Sequence, residues 1–332
     1  MAGIPTSWTY DGPAADRIWQ KSAIGRPSGD GKLDLSPAET LFVHHHRHLD
    51  LPTNDWINIA LKQNSMLLQE YAILEALRVP GNKIILSTNM DLFSEQIHSQ
   101  SWAARWSSNT HPRNSKPTSE IRWFHESDKL DATELHLWTI EVINSGRIPE
   151  VLVVDEEFSV VTYQLSSENP TGSLEVNETT DSLANLSDGI TSADGMLFPS
   201  EDWEIQQLGV PSAGGIHLDS ITCEIVQGLN PLSEGAEILS DLLNRGLVIR
   251  PGFKYGTRWI CYDKPLGEDN APFLVVLPED APRNWAGACL ASRLASGVNK
   301  MWLHPVAKGN SWNYLSITRP PPDSRWSNPN KR

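Results

Sequence analysis

The chain has 332 residues, a net charge of −14 at neutral pH and three cysteines. The overall acidity excludes a non-specific nucleic-acid coat, no apolar run approaches the ~20 residues of a membrane-spanning helix, and the start MAGIPTSWTYDGPAADR lacks the basic and apolar regions of a secretory signal. A cytoplasmic chain of two or more domains is expected, with Cys223, Cys261 and Cys289, which lack C-x-x-C spacing, as core thiols.

In chain order, the first helix start is Leu35-Ser36-Pro37-Ala38-Glu39, with Ser36 as N-cap and Pro37 in the first turn. His44, His45, His46 and His48 follow on this helix. Successive helical side chains point in different directions, so no metal site is expected of them. Leu67, Leu68, Tyr71, Ile73, Leu74 and Leu77 give a helical pattern over residues 63–78, stopped by Pro80-Gly81. A polar loop, 107–119, separates two strands; 135–143 reads as a helix; 151–154 and 158–165 read as strands around Asp155-Glu156-Glu157. Residues 166–195 contain acids, serines and threonines but no Lys or Arg, the composition of a linker.

Beyond it come a helix at 232–245 ended by Gly246, strands at 247–250, 257–262 and 273–277, a helix at 285–299, and strands at 301–304 and 312–317. On the helix at 285–299, Leu290, Leu294 and Val298 form the stripe expected to face the sheet, leaving Arg293 and Lys300, two turns apart, on a neighbouring face. Trp259, Trp285, Trp302 and Trp312 alternate with apolar strand residues and are expected in the core.

Charge is uneven along the chain. Between residues 245 and 262 there are Arg245, Arg250, Lys254 and Arg258 and no acid; Lys254 and Arg258 are therefore candidate contacts to an anionic ligand. After Ala281, eight cations stand against Asp323 alone, so this end carries +7 and the preceding body −21. A basic end on an acidic body suits a protein that binds polyanion at one place and repels it elsewhere.

AIGRPSGDGKLDLSPAE, starting at Ala23, recurs as QLGVPSAGGIHLDSITCE from Gln207. Ile73, Leu74, Leu77, Gly81 and Ile84 share their spacing with Ile238, Leu239, Leu242, Gly246 and Ile249, and Ser145, Gly146 and Tyr163 match Ser296, Gly297 and Tyr314 at one offset. Three collinear blocks imply an internal duplication. The expected fold is α/β (α+β), each repeat a small α/β subdomain followed by a mixed-sheet α/β subdomain. The expected boundaries are 1–83 and 84–165 for the first repeat, 166–195 for the linker, 196–231 and 232–320 for the second repeat, and 321–332 for a basic tail. GRPSGDG and GVPSAGG lack the Lys-Ser/Thr of a phosphate loop and read as turns.

Residues 245–319 carry, in order, R-G, G-F-K-Y-G, a strand ending in Tyr262, P-F-L-V-V, and R-L-A-S-x-x-x-K. This segment resembles the catalytic domain of the tRNA splicing endonucleases. The resemblance implies cleavage of precursor tRNA at bulge-helix-bulge sites by attack of a ribose 2′-OH on its own phosphate, leaving 2′,3′-cyclic phosphate and 5′-hydroxyl ends. That reaction needs a proton acceptor, a proton donor and a cation at the phosphorane, and requires no metal or other cofactor. The resemblance gives Tyr262 and Lys300 catalytic roles, Arg293 a grip on a bulged base, and Arg319 candidacy as the second gripping arginine.

Where the family has a His, this chain has Asn270. An amide can hydrogen-bond a phosphate but cannot deliver a proton near neutral pH. The chain is then a slower nuclease drawing the proton from water, Glu268 or Asp269, or a non-catalytic RNA-binding or structural subunit. His304, about four residues of rise from Lys300, is too far along its strand for direct substitution. In the first repeat Pro149 is expected at the place of Lys300 and Trp106 near that of Tyr262, so that copy is structural. The resemblance also implies a homodimer of two-repeat chains, in which acidic loops dock between subunits; 263–269 is suitably acidic.

Overall fold

The computed structural model describes residues 7–175, 186, 189–309 and 311–320; the expected tail at 321–332 and most of the acidic stretch from 176 to 188 lie outside the described residues. The chain opens with β1 (Trp8–Tyr10), α1 (Ala15–Ser22), β2 (Arg26–Ser28) and β3 (Lys32–Leu35), whose strands pair in the order β1-β3-β2. Next comes α2 (Pro37–Arg47), which starts on a capping box: Ser36 Oγ accepts from Glu39 N–H, and the Glu39 carboxylate accepts from Ser36 N–H.

The helix expected over 63–78 starts four residues later, as α4 (Leu67–Arg78), and is preceded by a separate helix that was not expected, α3 (Trp56–Gln63). Asn64 breaks them: its side chain accepts from Met66 N–H at 3.0 Å and donates to Glu70 at 3.1 Å, offering the backbone an alternative to the helical ladder.

Five strands then alternate with one helix: β4 (Lys83–Leu86), β5 (Ala103–Trp106), β6 (Ser119–His125), α5 (Ala132–Asn144), β7 (Ile148–Val154) and β8 (Val160–Glu168). A second small sheet follows, from β9 (Ile190–Ser192), β10 (Gly195–Pro199), β11 (Val210–Ser212) and β12 (Gly215–Asp219) in the order β11-β12-β10-β9, leading into α6 (Ser220–Val226). The last part is α7 (Glu234–Asn244), β13 (Val248–Pro251), β14 (Trp259–Tyr262), β15 (Phe273–Val275), α8 (Trp285–Gly297), β16 (Met301–Lys308) and β17 (Ser311–Thr318). β8 runs three residues into the stretch read as linker. Its polar end is recruited by β17, with Glu168 opposite Tyr314 and Ser167 opposite Leu315.

Strands β4 to β8 and β13 to β17 make one ten-stranded mixed sheet, in the order β13-β14-β15-β16-β17-β8-β7-β6-β5-β4. From either edge inward the pairings are antiparallel, antiparallel, parallel and antiparallel, and the halves meet through the antiparallel β8–β17 pair.

Alternation along the strands sends side chains to opposite faces. Val151, Val153, Leu315 and Ile317 join residues of α5 and α8 in one core that bridges both halves. On the other face, Leu152 and Val154 pack with α2 and α4, while Leu303 and Tyr314 pack with α7.

α8 meets the sheet through Trp285, Ala288, Ser292 and Ala295; Leu290, Leu294 and Val298, expected to be buried, are 46%, 56% and 44% exposed. Small residues let the helix approach the sheet closely, so the buried face is marked by size rather than by hydrophobicity. The start of α8 is held by the other half: Trp285 N–H donates to Asp128 O, Ala286 N–H to Glu126 O, and the Trp285 ring stacks on Phe124 at 4.7 Å. The four tryptophans expected in the core are there, each 8% exposed or less.

Candidate active site

Lys300 is not on the helix, as its seven-residue spacing from Arg293 suggested. α8 stops at Gly297, Asn299 takes a left-handed conformation (φ 53°), and the N–H groups of Asn299 and Lys300 return to Ser296 O and Ala295 O. This pair of bonds is a Schellman cap. It sets Lys300 one residue before β16, where Nζ donates to Ala271 O at 2.5 Å and lies 5.6 Å above the Tyr255 ring.

Tyr262 ends β14. Cys261 pairs with Phe273 across β14–β15, and Phe273 with Met301 across β15–β16. Continuing both registers by one residue puts Tyr262, Pro272 and Lys300 in one row, two strand spacings or about 10 Å between the outer Cα atoms. Their chain neighbours Cys261 and Met301 pack in the core under α7, while Tyr262 and Tyr255 pack against the core under α8. A phenol and an ammonium therefore rise from the same face at one sheet edge, both long enough to reach a group held between them.

Asn270 is exposed beside Ala271, whose carbonyl holds the ammonium. In the same loop Lys264 Nζ donates to Asp269 at 2.8 Å. That bond holds the Asp269 carboxyl below its ordinary range and the lysine above its own. Arg250, counted in sequence only as local charge, lies on the Tyr262 face, opposite Ile260 and so diagonal to Tyr262, with its guanidinium on the carbonyls of Gln206, Gln207 and Ile249. Burial lowers its affinity for a proton; Tyr262 acts the other way. Tyr255 also went unassigned, although G-F-K-Y-G places it directly under Lys300.

Arg293 and Arg319 come together. With Glu126, Asp155, Tyr163 and Cys289 they line a cavity of about 290 Å³ between α8 and the first-half strands β7 and β8. Among the described residues neither guanidinium makes a hydrogen bond or ion pair. Burial, then contact with Cys289, pushes the Tyr163 phenol up, against the pull of both arginines. Lys254 stands at the exposed tip of G-F-K-Y-G, next to Phe253, which is 90% exposed. Arg258 is less free, being ion-paired with Asp219, the N-cap of α6, and lying over the Trp259 ring.

Counting the same registers in the first half corrects the expected position of Pro149. Gly146 (φ 73°) and Arg147 close α5 as Asn299 and Lys300 close α8, with Arg147 N–H returning to Val142 O. Arg147, one residue before β7, is thus the counterpart of Lys300; Trp106, opposite Lys83 as Tyr262 is opposite Val248, is that of Tyr262. The last of the three counterparts, three residues before β6 as Asn270 is before β15, is Lys116.

The histidines also depart from expectation. His45 and His46 do not diverge: their rings stack at 4.6 Å, and with Glu75 they bring three ligand atoms within 4.8 Å of one another.

Comparison with known proteins begins with the site region: residues 236–314 match the tRNA intron endonuclease, catalytic C-terminal domain. At the level of whole proteins, the chain is 30% identical over 102 residues to a tRNA-splicing endonuclease of Thermoplasma volcanium, a match covering 31% of this chain and 34% of that protein. It is 23% and 25% identical to the tRNA-splicing endonucleases of Methanosarcina acetivorans and Methanosarcina barkeri, over 92% of this chain and 95% of each of theirs. No helix among the described residues is long and apolar enough to cross a membrane.

Proposed function

We propose that the protein is a tRNA-intron endonuclease acting on precursor tRNA at bulge-helix-bulge sites. The convergence of Tyr262 and Lys300 on one face, inside the matched segment, carries the reading. Tyr262, as the phenolate, takes the proton of the ribose 2′-OH; the 2′-oxygen bonds to phosphorus as the P–O5′ bond breaks; Lys300 faces the charge gathering on the phosphorane. Asn270 hydrogen-bonds a phosphate oxygen. Asp269, ionised by Lys264, is a poor proton donor, so the 5′-oxygen takes its proton from water or Glu268. Arg293 and Arg319 flank a flipped base in their cavity, with Lys254 and Arg258 along the backbone.

The matching pairing order of the two halves supports a tandem duplication with catalysis in the second copy and the domain boundaries given above. The same reading extends to a cytoplasmic homodimer with the loop 263–269 at the subunit contact.

Incubation with a bulge-helix-bulge RNA in EDTA tests the proposal. Two cuts with 2′,3′-cyclic phosphate ends are expected, and no cutting at high enzyme concentration defeats it. Asn270→His on the same RNA is expected to speed the reaction about tenfold by restoring a general acid, and a rate that does not rise removes the assigned place of the missing proton donor.

A further inference from the structure

Glu75 lies in α4 with its side chain 8% exposed, and no permanent cation is assigned to it. Arg78, one turn on, is directed elsewhere, to the carbonyls of Ser22, Ala23 and Ile84, with Glu39 3.8 Å away. Among the described residues the Glu75 carboxylate faces Tyr71 Oη at 2.7 Å, His46 Nε2 at 2.7 Å and His45 Nδ1 at 3.7 Å. A buried carboxylate that carries no lysine or arginine among the described residues is an expensive arrangement. A divalent ion among the same atoms removes the expense.

The geometry points to a transition-metal site of the zinc type, held by His45 Nδ1, His46 Nε2 and Glu75, pinning the end of α2 to α4. Zinc bonds of ~2.0–2.1 Å in tetrahedral array separate ligand atoms by about 3.3 Å. The two distances from Glu75 Oε1 to the imidazoles, 2.7 and 3.7 Å, bracket that value. Two imidazoles and one carboxylate suit zinc, cobalt or nickel rather than the all-oxygen preference of magnesium or calcium.

The supporting contacts are present as well. Phe42 lies against the His46 ring at 4.6 Å and fixes its plane, and the Tyr71 hydroxyl stands between the ligand atoms, donating to Glu75 and lying 2.5 Å from His45 Nδ1. The imidazoles stand in the last turn of α2, whose free carbonyls favour a cation. Beside them opens a cavity of about 590 Å³, lined also by His44, His48 and Asp50, through which an ion enters and a water takes the fourth position. The site lies in the small leading subdomain, on elements that carry none of the residues assigned to RNA cleavage.

Metal-free protein titrated with Co²⁺ at neutral pH is expected to take up one equivalent with the visible absorption of a four-coordinate ion, and Zn²⁺ is expected to displace it. His45→Asn and His46→Gln each weaken binding about tenfold or more. Tyr71→Phe weakens it less. Absence of the absorption band overturns the site, as does binding that is unchanged in both histidine variants, since the ion is then held by other histidines. Cleavage of RNA in EDTA is a separate readout, so failure of the metal site and failure of the nuclease reading are distinguishable.

Discussion

The two halves of the central sheet place one pair of positions alike and use it for opposite ends. At one edge Lys300 makes no ion pair among the described residues, its ammonium on a backbone carbonyl and above a tyrosine ring. At the other, Arg147 spends its guanidinium on Glu120 at 2.6 Å, Glu95 at 2.9 Å and the Gln96 carbonyl, with 8% of its side chain exposed. The tyrosine position shows the same contrast. Tyr262 is half-buried with its hydroxyl available, whereas Trp106 is 1% exposed and its indole N–H donates to Ser115 O. One backbone device, a Schellman cap leading into a strand, thus delivers a cation either as reagent or as structural tie. Its neighbours decide which.

The comparison breaks most visibly at its two cations. Lys300→Ala removes the only charge facing the phosphorane in the proposed reaction and is expected to slow single-turnover cleavage about a thousandfold or more, roughly 4 kcal/mol of transition-state stabilisation. The fold should not change, because the lysine's one hydrogen bond goes to an edge carbonyl. A variant that keeps near-normal rates removes Lys300 from the chemistry. Arg147→Ala is expected to do the reverse. It strands Glu120, 1% exposed and kept partly satisfied by Ser101 Oγ and His98 N–H. Loss of about 3 kcal/mol of stability should follow, seen in chemical denaturation, with the cleavage rate per folded molecule retained. Tyr262→Phe lies next in size: about a hundredfold loss of rate with binding unchanged. An unaltered rate would move the proton acceptor elsewhere, Tyr255, whose ring lies 5.6 Å from Lys300 Nζ, being the alternative phenol.

Much of this is legible in the amino-acid sequence. The second-half strands and helices fall within a few residues of their predicted limits, because glycine stops and alternating apolar residues speak locally. The choice of Tyr262 and Lys300 rested on motif order, which survives any error in helix phase. What failed were inferences about direction. Leu290, Leu294 and Val298 read as interior because they form an apolar stripe, but Ala288, Ser292 and Ala295 win the contact by allowing closer approach. The seven-residue spacing of Arg293 and Lys300 looked like one helix face until Asn299 ended the helix between them. Pro149 was matched to Lys300 by a constant offset, and strand register shifts the correspondence to Arg147. The stacking of His45 on His46, and the meeting of Arg293 with Arg319, depend on how distant segments pack and had no local signal.

The smallest expected effect is shared by the halves. Each buries one histidine on the α5 and α8 side: His136, 2% exposed, beside Ser167 Oγ, and His304, 9% exposed, with its Nδ1 hydrogen donated to Pro305 O. Burial lowers both below the ordinary imidazole value, and Lys308 adds to the effect at His136. Because the folded values are depressed, the unfolded chain binds the extra protons as pH falls below ~6.5. Stability is then fully present above that pH and is lost on acidification down through the folded values, at up to about 1.4 kcal/mol for each unit of depression. His304→Gln should flatten the slope of melting temperature between pH 7 and 5, and His136→Gln should flatten it further. If the slope is unchanged in the double variant, the acid sensitivity belongs to carboxylates, and the two imidazoles take up protons alike in the folded and unfolded chain.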